Sequence, residues 1–166
     1  MTARAKLTAA ILAGGAGTRL RSVVADRPKP LAMVAGRPFL EYVLDQISTL
    51  DLARIVICTG YGADQIRRTI GNSWRGIEIV YSHETSPLGT GGALAKAASK
   101  LSSDTILAVN GDSYCDTPLR PFLDSHLSLS SFATLLLTRV PDVARYGVAT
   151  VSASGRITGF REKGAD

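Results

Sequence analysis

The chain is poor in the residues on which many hydrolytic and metal-bound sites depend. Its 166 residues hold two cysteines and two histidines. Cys58 and Cys115 form neither a metal-ligand spacing nor a disulfide framework. His83 and His126 are too few and too isolated for a zinc site or a Ser-His-Asp triad. Aromatic residues make up 6% of the chain, and they do not interleave with the scattered basic residues in the manner of single-strand binders. No nucleic-acid partner is therefore expected. No uninterrupted apolar stretch approaches a membrane span, and the N-terminus lacks a signal-peptide core. A cytoplasmic protein with no membrane partner is expected. Repeats, low-complexity segments and internal linkers are also missing, so residues 1–166 are read as a single domain, large enough for a sizeable core.

What is present is a globular composition, 45% apolar and 20% charged, with a net charge of +5 that favours anionic ligands. Cys58 lies in an apolar run and reads as a core residue, whereas Cys115 stands near a candidate metal carboxylate, with packing the simpler role.

The most informative stretch is Ile11-Leu-Ala-Gly-Gly-Ala-Gly-Thr-Arg-Leu20, followed by Arg27-Pro-Lys-Pro-Leu31. An apolar run stops at Gly14, Gly15 and Gly17, which allow a tight turn and a close approach of backbone to ligand. Arg19 offers a fork of donors suited to phosphate oxygens, and Lys29 is a point charge between two prolines that restrict its backbone. The P-loop string is not found, and the dinucleotide fingerprint counted from Gly15 ends on Leu20 instead of glycine.

Periodicity predicts strands over 7–13, 54–59, 77–81, 105–110, 132–138, 147–151 and 156–160, the last two joined as a hairpin through Ala153-Ser154-Gly155. Helical patterns cover Phe39 to Leu50 behind Pro38, 63–70, 91–101 with Thr90 as N-cap, and 119–127 behind Pro118. This alternation predicts an α/β fold with a mainly parallel sheet and helices on both faces. Ligands of such sheets bind beyond the carboxyl ends of the strands, where strand order switches.

Two further segments fall at such ends. Asn110-Gly111-Asp112 follows an apolar strand, where a carboxylate can hold Mg²⁺, although the same three residues also make an ordinary turn. Asp116 serves either as its helper or as an N-cap. Pro87-Leu-Gly-Thr-Gly-Gly-Ala93 contains Gly89 and leads from a loop into a helix; its glycines allow a planar base to lie on backbone, and Glu84 can accept hydrogen bonds from that base. By themselves those glycines also fit a plain helix start, and Lys163 reads as a solvated lysine.

Together these segments resemble the sugar-1-phosphate nucleotidyltransferase family from Leu7 to Lys163. Arg21-Ser-Val-Val, Val34-Ala-Gly-Arg-Pro-Phe-Leu-Glu-Tyr, Pro87-Leu-Gly-Thr-Gly-Gly-Ala-Leu, Arg139-Val-Pro-Asp-Val-Ala-Arg-Tyr-Gly and Phe160-Arg-Glu-Lys-Gly are similar to its heptose-1-phosphate guanylyltransferase branch, beside the mannose-1-phosphate enzymes. The resemblance implies a Rossmann-like sheet of the nucleotide-diphospho-sugar transferase kind. It implies that Leu12, Ala13, Gly14, Gly15, Gly17, Thr18, Arg19, Glu84 and Gly89 bind the nucleotide, that Lys29 contacts phosphates at the reacting centre, and that Asp112 is a Mg²⁺ ligand. Gly147, Glu162 and Lys163 would hold the sugar and its phosphate. Family members supply a second metal aspartate from a later segment; no match for it is found in these residues, and the chain is expected to be the N-terminal part of the family domain.

The implied reaction joins a nucleoside triphosphate to a sugar 1-phosphate by in-line attack on the α-phosphorus and releases pyrophosphate. Arg19, Lys29 and Asp112 are its expected catalytic residues. GTP is expected over UTP and dTTP, because a carboxylate accepts both donors on the guanine edge. The alternatives are a uridylyl- or thymidylyltransferase, a glycosyltransferase that uses a nucleotide sugar, and a non-catalytic nucleotide-binding module. The sequence leaves the sugar and a homo-oligomeric state open.

Overall fold

The computed structural model describes residues 7–15, 27–129, 131–144 and 146–162. In chain order the elements are β1 (Leu7–Ala13), β2 (Met33–Val34), β3 (Arg37–Pro38), α1 (Phe39–Ile47), β4 (Leu52–Thr59), α2 (Ala63–Ile70), β5 (Ser73–Trp74), β6 (Ile77–His83), α3 (Gly89–Ala97), β7 (Thr105–Asn110), α4 (Leu119–Leu129), β8 (Val148–Val151) and β9 (Ile157–Arg161). They fall into two compact units, Met1–Asp124 and Ser125–Asp166.

The first unit is built on a five-stranded sheet of order β5-β6-β4-β1-β7. β1 runs parallel to β4 and to β7, β4 runs parallel to β6, and only the short β5 is antiparallel to its neighbour. The chain steps outward from β1 through β4 to β6, then returns to lay β7 on the other side of β1. That reversal is the switch in strand order beyond which parallel sheets bind ligands.

Side-chain alternation assigns the two faces of the sheet. Ile55 and Ile57 of β4 join Ile11, Ile79, and the Leu40, Leu44 and Ile47 stripe of α1 in the larger core, which also takes Ile66 and Ile70 of α2. Val56 and Cys58 point to the opposite face and meet Ala93 and Ala97 of α3. A period of two along a strand, with both sets buried, is how a sheet covered by helices on both sides reads in sequence. Leu119, Phe122 and Leu123 of α4 add to the larger core.

Two tight hairpins lie outside what the hydrophobic pattern predicts. Ala35-Gly36 joins β2 to β3, and Arg75-Gly76 joins β5 to β6. Both residues of each pair have positive φ, 48° and 79° in the first and 48° and 81° in the second. Type I′ turns require this, and glycine relieves the second position of its steric cost.

Three expectations about elements are corrected. α3 begins at Gly89 rather than 91, with Leu88 at the N-cap and no side-chain cap bond, so Thr90 lies inside the first turn. The helix stops at Ala97, and residues Ala98–Lys100 tighten into a 3₁₀ turn. The run 132–138 forms no strand. Leu135, Leu136 and Leu137 are exposed, and in their own unit β8 and β9 hydrogen-bond to each other and give the run no ladder. A strand-like sequence becomes a strand only where a neighbour supplies hydrogen bonds.

In the second unit β8 and β9 form the expected antiparallel hairpin, closed by hydrogen bonds from the Ser152 amide to the Arg156 carbonyl and from the Gly155 amide to the Ser152 carbonyl. Among the described residues, no helix is long and apolar enough to cross a membrane.

Candidate nucleotide site

Four parallel strands end on one edge of the sheet, and the residues that follow each strand line a single cleft of about 590 Å³. Gly14 and Gly15 follow β1, Gly60 and Tyr61 follow β4, Glu84 and Thr85 follow β6, and Asp112 follows β7; Gly89, Thr90 and Ala93 come from the start of α3. Leu12, Cys58, His83 and Asn110, all strand residues, also line it.

The Pro-Lys-Pro segment is a rigid stub. Lys29–Leu31 is one turn of 3₁₀ helix, with Pro30 and Leu31 buried. Pro28 is also buried and packs so closely on Gly62 that a Cβ there would lie 2.8 Å from its ring. Lys29, held between these anchors, directs its Nζ to Asp112 Oδ2 at 2.7 Å.

Asp112 is positioned from beneath. The Gly111 amide donates to the Leu12 carbonyl at 2.9 Å. A Cβ on Gly111 would stand 3.1 Å from Ile11 Cγ2 and 3.2 Å from the Ala13 Cβ, tight contacts that glycine avoids where the loop lies against β1. On the far side of the loop, Gln46 of α1 donates its side-chain amide to the carbonyls of Cys115 and Thr117. Nothing in the sequence singled out Gln46.

Glu84 continues the β6 ladder by one bond, from its amide to the Thr59 carbonyl at 2.8 Å. Glu84 lines the cleft, and its Oε2 is buried without a hydrogen-bond partner. Such an atom is costly unless something satisfies it. Cys58 lies in the wall below α3, its thiol directed at the Ala93 carbonyl at 3.8 Å. Burial, with the Glu84 charge nearby, pushes this thiol above the usual range and keeps it protonated.

The structure thus brings together Leu12, Gly14, Gly15, Glu84, Gly89 and Asp112 in the cleft, with Lys29 reaching it through Asp112. Ala13 is buried behind it. Gly17, Thr18, Arg19 and Lys163 lie outside the described residues. Gly147 and Glu162 belong to the second unit, where a Cβ on Gly147 would lie 2.8 Å from the Phe160 ring and Glu162 follows β9, exposed. Sequence reasoning passed over Gly60 and Tyr61, although the Gly60-Tyr-Gly62 string directly after an apolar strand is a turn signal of the same kind as Gly14-Gly15.

The donor set suits Mg²⁺ in one respect and limits it in another. Asp112 is a hard oxygen ligand at a strand end, but among the described residues no group of three metal-ligating side chains occurs. Mg²⁺ commonly takes one or two carboxylates and completes its shell with water and substrate phosphates. One carboxylate in a cleft that Gly14 and Gly15 also line leaves room for that habit.

Comparison with known proteins bears on this arrangement. The nucleotidyl transferase family model matches residues 8–166. A D-glycero-alpha-D-manno-heptose 1-phosphate guanylyltransferase of Aneurinibacillus thermoaerophilus is 38% identical over 158 residues, which are 95% of this chain and 68% of that protein. A mannose-1-phosphate guanylyltransferase of Mycobacterium tuberculosis is 36% identical over 162 residues, 97% of this chain but 45% of that protein. The crystal structure of HddC from Yersinia pseudotuberculosis aligns with a TM-score of 0.75 at 31% identity, covering 95% of this chain and 70% of that one. The same protein has been solved in complex with GMP-PN and aligns with a TM-score of 0.74.

Proposed function

Because the chain belongs to the nucleotidyl transferase family, we propose that it transfers a nucleoside monophosphate, GMP by preference, from a nucleoside triphosphate to a sugar 1-phosphate of the heptose or mannose type. One observation carries the reading: a single cleft is lined by Asp112, whose partner Lys29 brings a charge suited to phosphate chemistry, and by the Glu84 carboxylate, suited to guanine. The guanylyltransferases among the relatives and the GMP-PN complex of HddC support it. The family match from 8 to 166 supports treating both units as part of one catalytic domain. Two unpaired cysteines accord with a cytoplasmic setting.

The base would lie on the glycine-containing backbone of residues 87–93 that opens α3, with its Watson–Crick edge at Glu84. Guanine offers N1–H and N2–H₂ side by side, and an ionised carboxylate accepts from both. Uracil and thymine set one donor between two carbonyls, which the carboxylate would repel. The buried, unpartnered Glu84 Oε2 would become an acceptor for this pairing once the side chain turns toward the base.

Gly14 and Gly15 would hold the phosphates through backbone amides, joined by Arg19 of the same loop. Lys29 would shift from Asp112 to the phosphate oxygens and neutralise charge as the reaction proceeds. A sugar-phosphate oxygen forms its bond to the α-phosphorus while the bridging bond to the β-phosphate breaks and pyrophosphate leaves with that electron pair. No side chain must move a proton, so the site works by positioning and charge neutralisation. Asp112 would hold Mg²⁺, which when bound supplies charge neutralisation at the phosphates. Gly147, Glu162 and Lys163 are assigned to the sugar phosphate on their match to the family motifs.

Dissociation constants for GTP, UTP and dTTP test the base assignment. The protein should prefer GTP, and Glu84→Gln should erode that preference by about 1–3 kcal/mol, the cost of replacing a charged acceptor in a partly buried site. A protein that prefers UTP or dTTP, or a preference untouched by Glu84→Gln, overturns it. Pyrophosphate release with a panel of sugar 1-phosphates identifies the acceptor.

A further inference from the structure

Gly14 and Gly60 both lie against the Glu84 side chain, and their backbones alone do not call for glycine. Neither is among the glycines with positive φ, so another residue could adopt the same conformation at both positions. The constraint is space. A Cβ on Gly14 would collide with Glu84 Oε1 and stand 3.0 Å from its Cδ. A Cβ on Gly60 would lie 2.7 Å from the Gly14 carbonyl oxygen and 3.2 Å from both Cγ and Oε1 of Glu84. The two loops touch here as well, the Tyr61 amide donating to the Gly14 carbonyl at 3.4 Å.

We propose that Gly14 and Gly60 are positioning residues for base selection: together they leave a notch that seats the Glu84 carboxylate and sets the position from which it turns toward the base. This rests on the reading of Glu84 as the group that meets guanine. It gives Gly14 a task separate from phosphate binding, and it gives Gly60 a task where none was assigned. The space left by the two missing Cβ atoms is where Oε1 rests, and this rotamer leaves Oε2 without a hydrogen-bond partner. Preorganisation of this kind converts a flexible acceptor into a discriminating one.

Gly14→Ala is the direct test, because the added methyl meets the far end of a flexible side chain and not backbone. The fold should persist while the carboxylate is turned aside. GTP and UTP dissociation constants, measured with magnesium, are compared for the parent, Gly14→Ala, Glu84→Gln and the double variant. The GTP-over-UTP ratio should fall by about tenfold in Gly14→Ala and change little when the same substitution is made on Glu84→Gln, where the carboxylate is already lost. Gly60→Ala is the second variant and should lower the ratio in the same direction. Equal weakening of both nucleotides, a ratio unchanged in both glycine variants, or a full additional loss on the Glu84→Gln background overturns the notch while leaving Glu84 as the reader. A parent with no preference for GTP overturns the reading of Glu84 itself, and the notch with it.

Discussion

Lys29 and Asp112 form their ion pair with 39% and 36% of their side chains exposed. Pairs so open to solvent contribute about 0–1 kcal/mol to stability. Their cost in activity is another matter, since a charge stabiliser in an assembled site is worth about 3–4 kcal/mol at the transition state. The two magnitudes separate folding from function. Lys29→Ala should therefore unfold at nearly the parent denaturant concentration yet slow the chemical step by roughly 10²–10³-fold. Asp112→Asn, which removes a charge at almost constant volume, should abolish turnover and the strengthening of triphosphate binding by Mg²⁺. Stopped-flow turnover and urea titration on the same samples check both halves; a rate within a few-fold of the parent removes either residue from the reacting centre. At this scale the sequence was most readable where residue type singles a position out: Glu84 and Asp112 line the cleft, and Lys29 pairs with Asp112. Gly60 and Gln46 escaped it because their roles are geometric: one is defined by an absent Cβ, the other by an amide that reaches a loop 69 residues away.

At the scale of elements, Asp45 on α1 ties together three pieces that periodicity did not predict to meet. Arg37 of β3 donates to Oδ2 at 2.9 Å, while Trp74 of β5 and Arg75 of its hairpin turn donate to Oδ1 at 3.2 Å and 3.0 Å. Burial raises the Asp45 carboxyl, but hydrogen bonds from Arg37 and Trp74, with the charges of Arg75 and Arg37, outweigh it and hold it below its ordinary value. A carboxyl depressed in the folded state adds stability above its unfolded value and loses it as pH falls through the folded one. Asp45→Asn should cost about 1–2 kcal/mol at neutral pH, and the gap between variant and parent should begin to narrow below about pH 4 and shrink further as pH falls through the folded value. Urea unfolding at pH 7 and pH 3 measures it; a gap of equal size at both would show that the Asp45 charge is not what joins these elements. The long elements were legible because burial repeats along them, as in β1, α1 and α2. β2, β3 and β5 have two residues each and no period to read, and 132–138 carried a strand pattern without a partner.

At the scale of the whole molecule, the cleft of the first unit lies along one sheet edge, and the parallel sheet with its helical cover was legible in the sequence. The order itself, with β1 central between β4 and β7, follows from pairing across distant chain segments and is invisible to local periodicity. The cleft inherits that remoteness. Its walls come from residues 12–15, 58–61, 83–93 and 110–112, so no short stretch of unfolded chain carries a binding site. Nucleotide then binds the folded state alone, and the law of mass action turns occupancy into heat resistance. A ligand at a hundred times its dissociation constant adds about 2.7 kcal/mol, which for a chain of this size raises the melting temperature by roughly 5–10 °C. GTP with Mg²⁺ should shift the melting curve by that amount, and UTP at the same concentration by less; equal shifts would deny the protein its choice of base. The topology of β1 thereby makes a melting curve a readout of nucleotide choice, obtainable before any sugar acceptor is known.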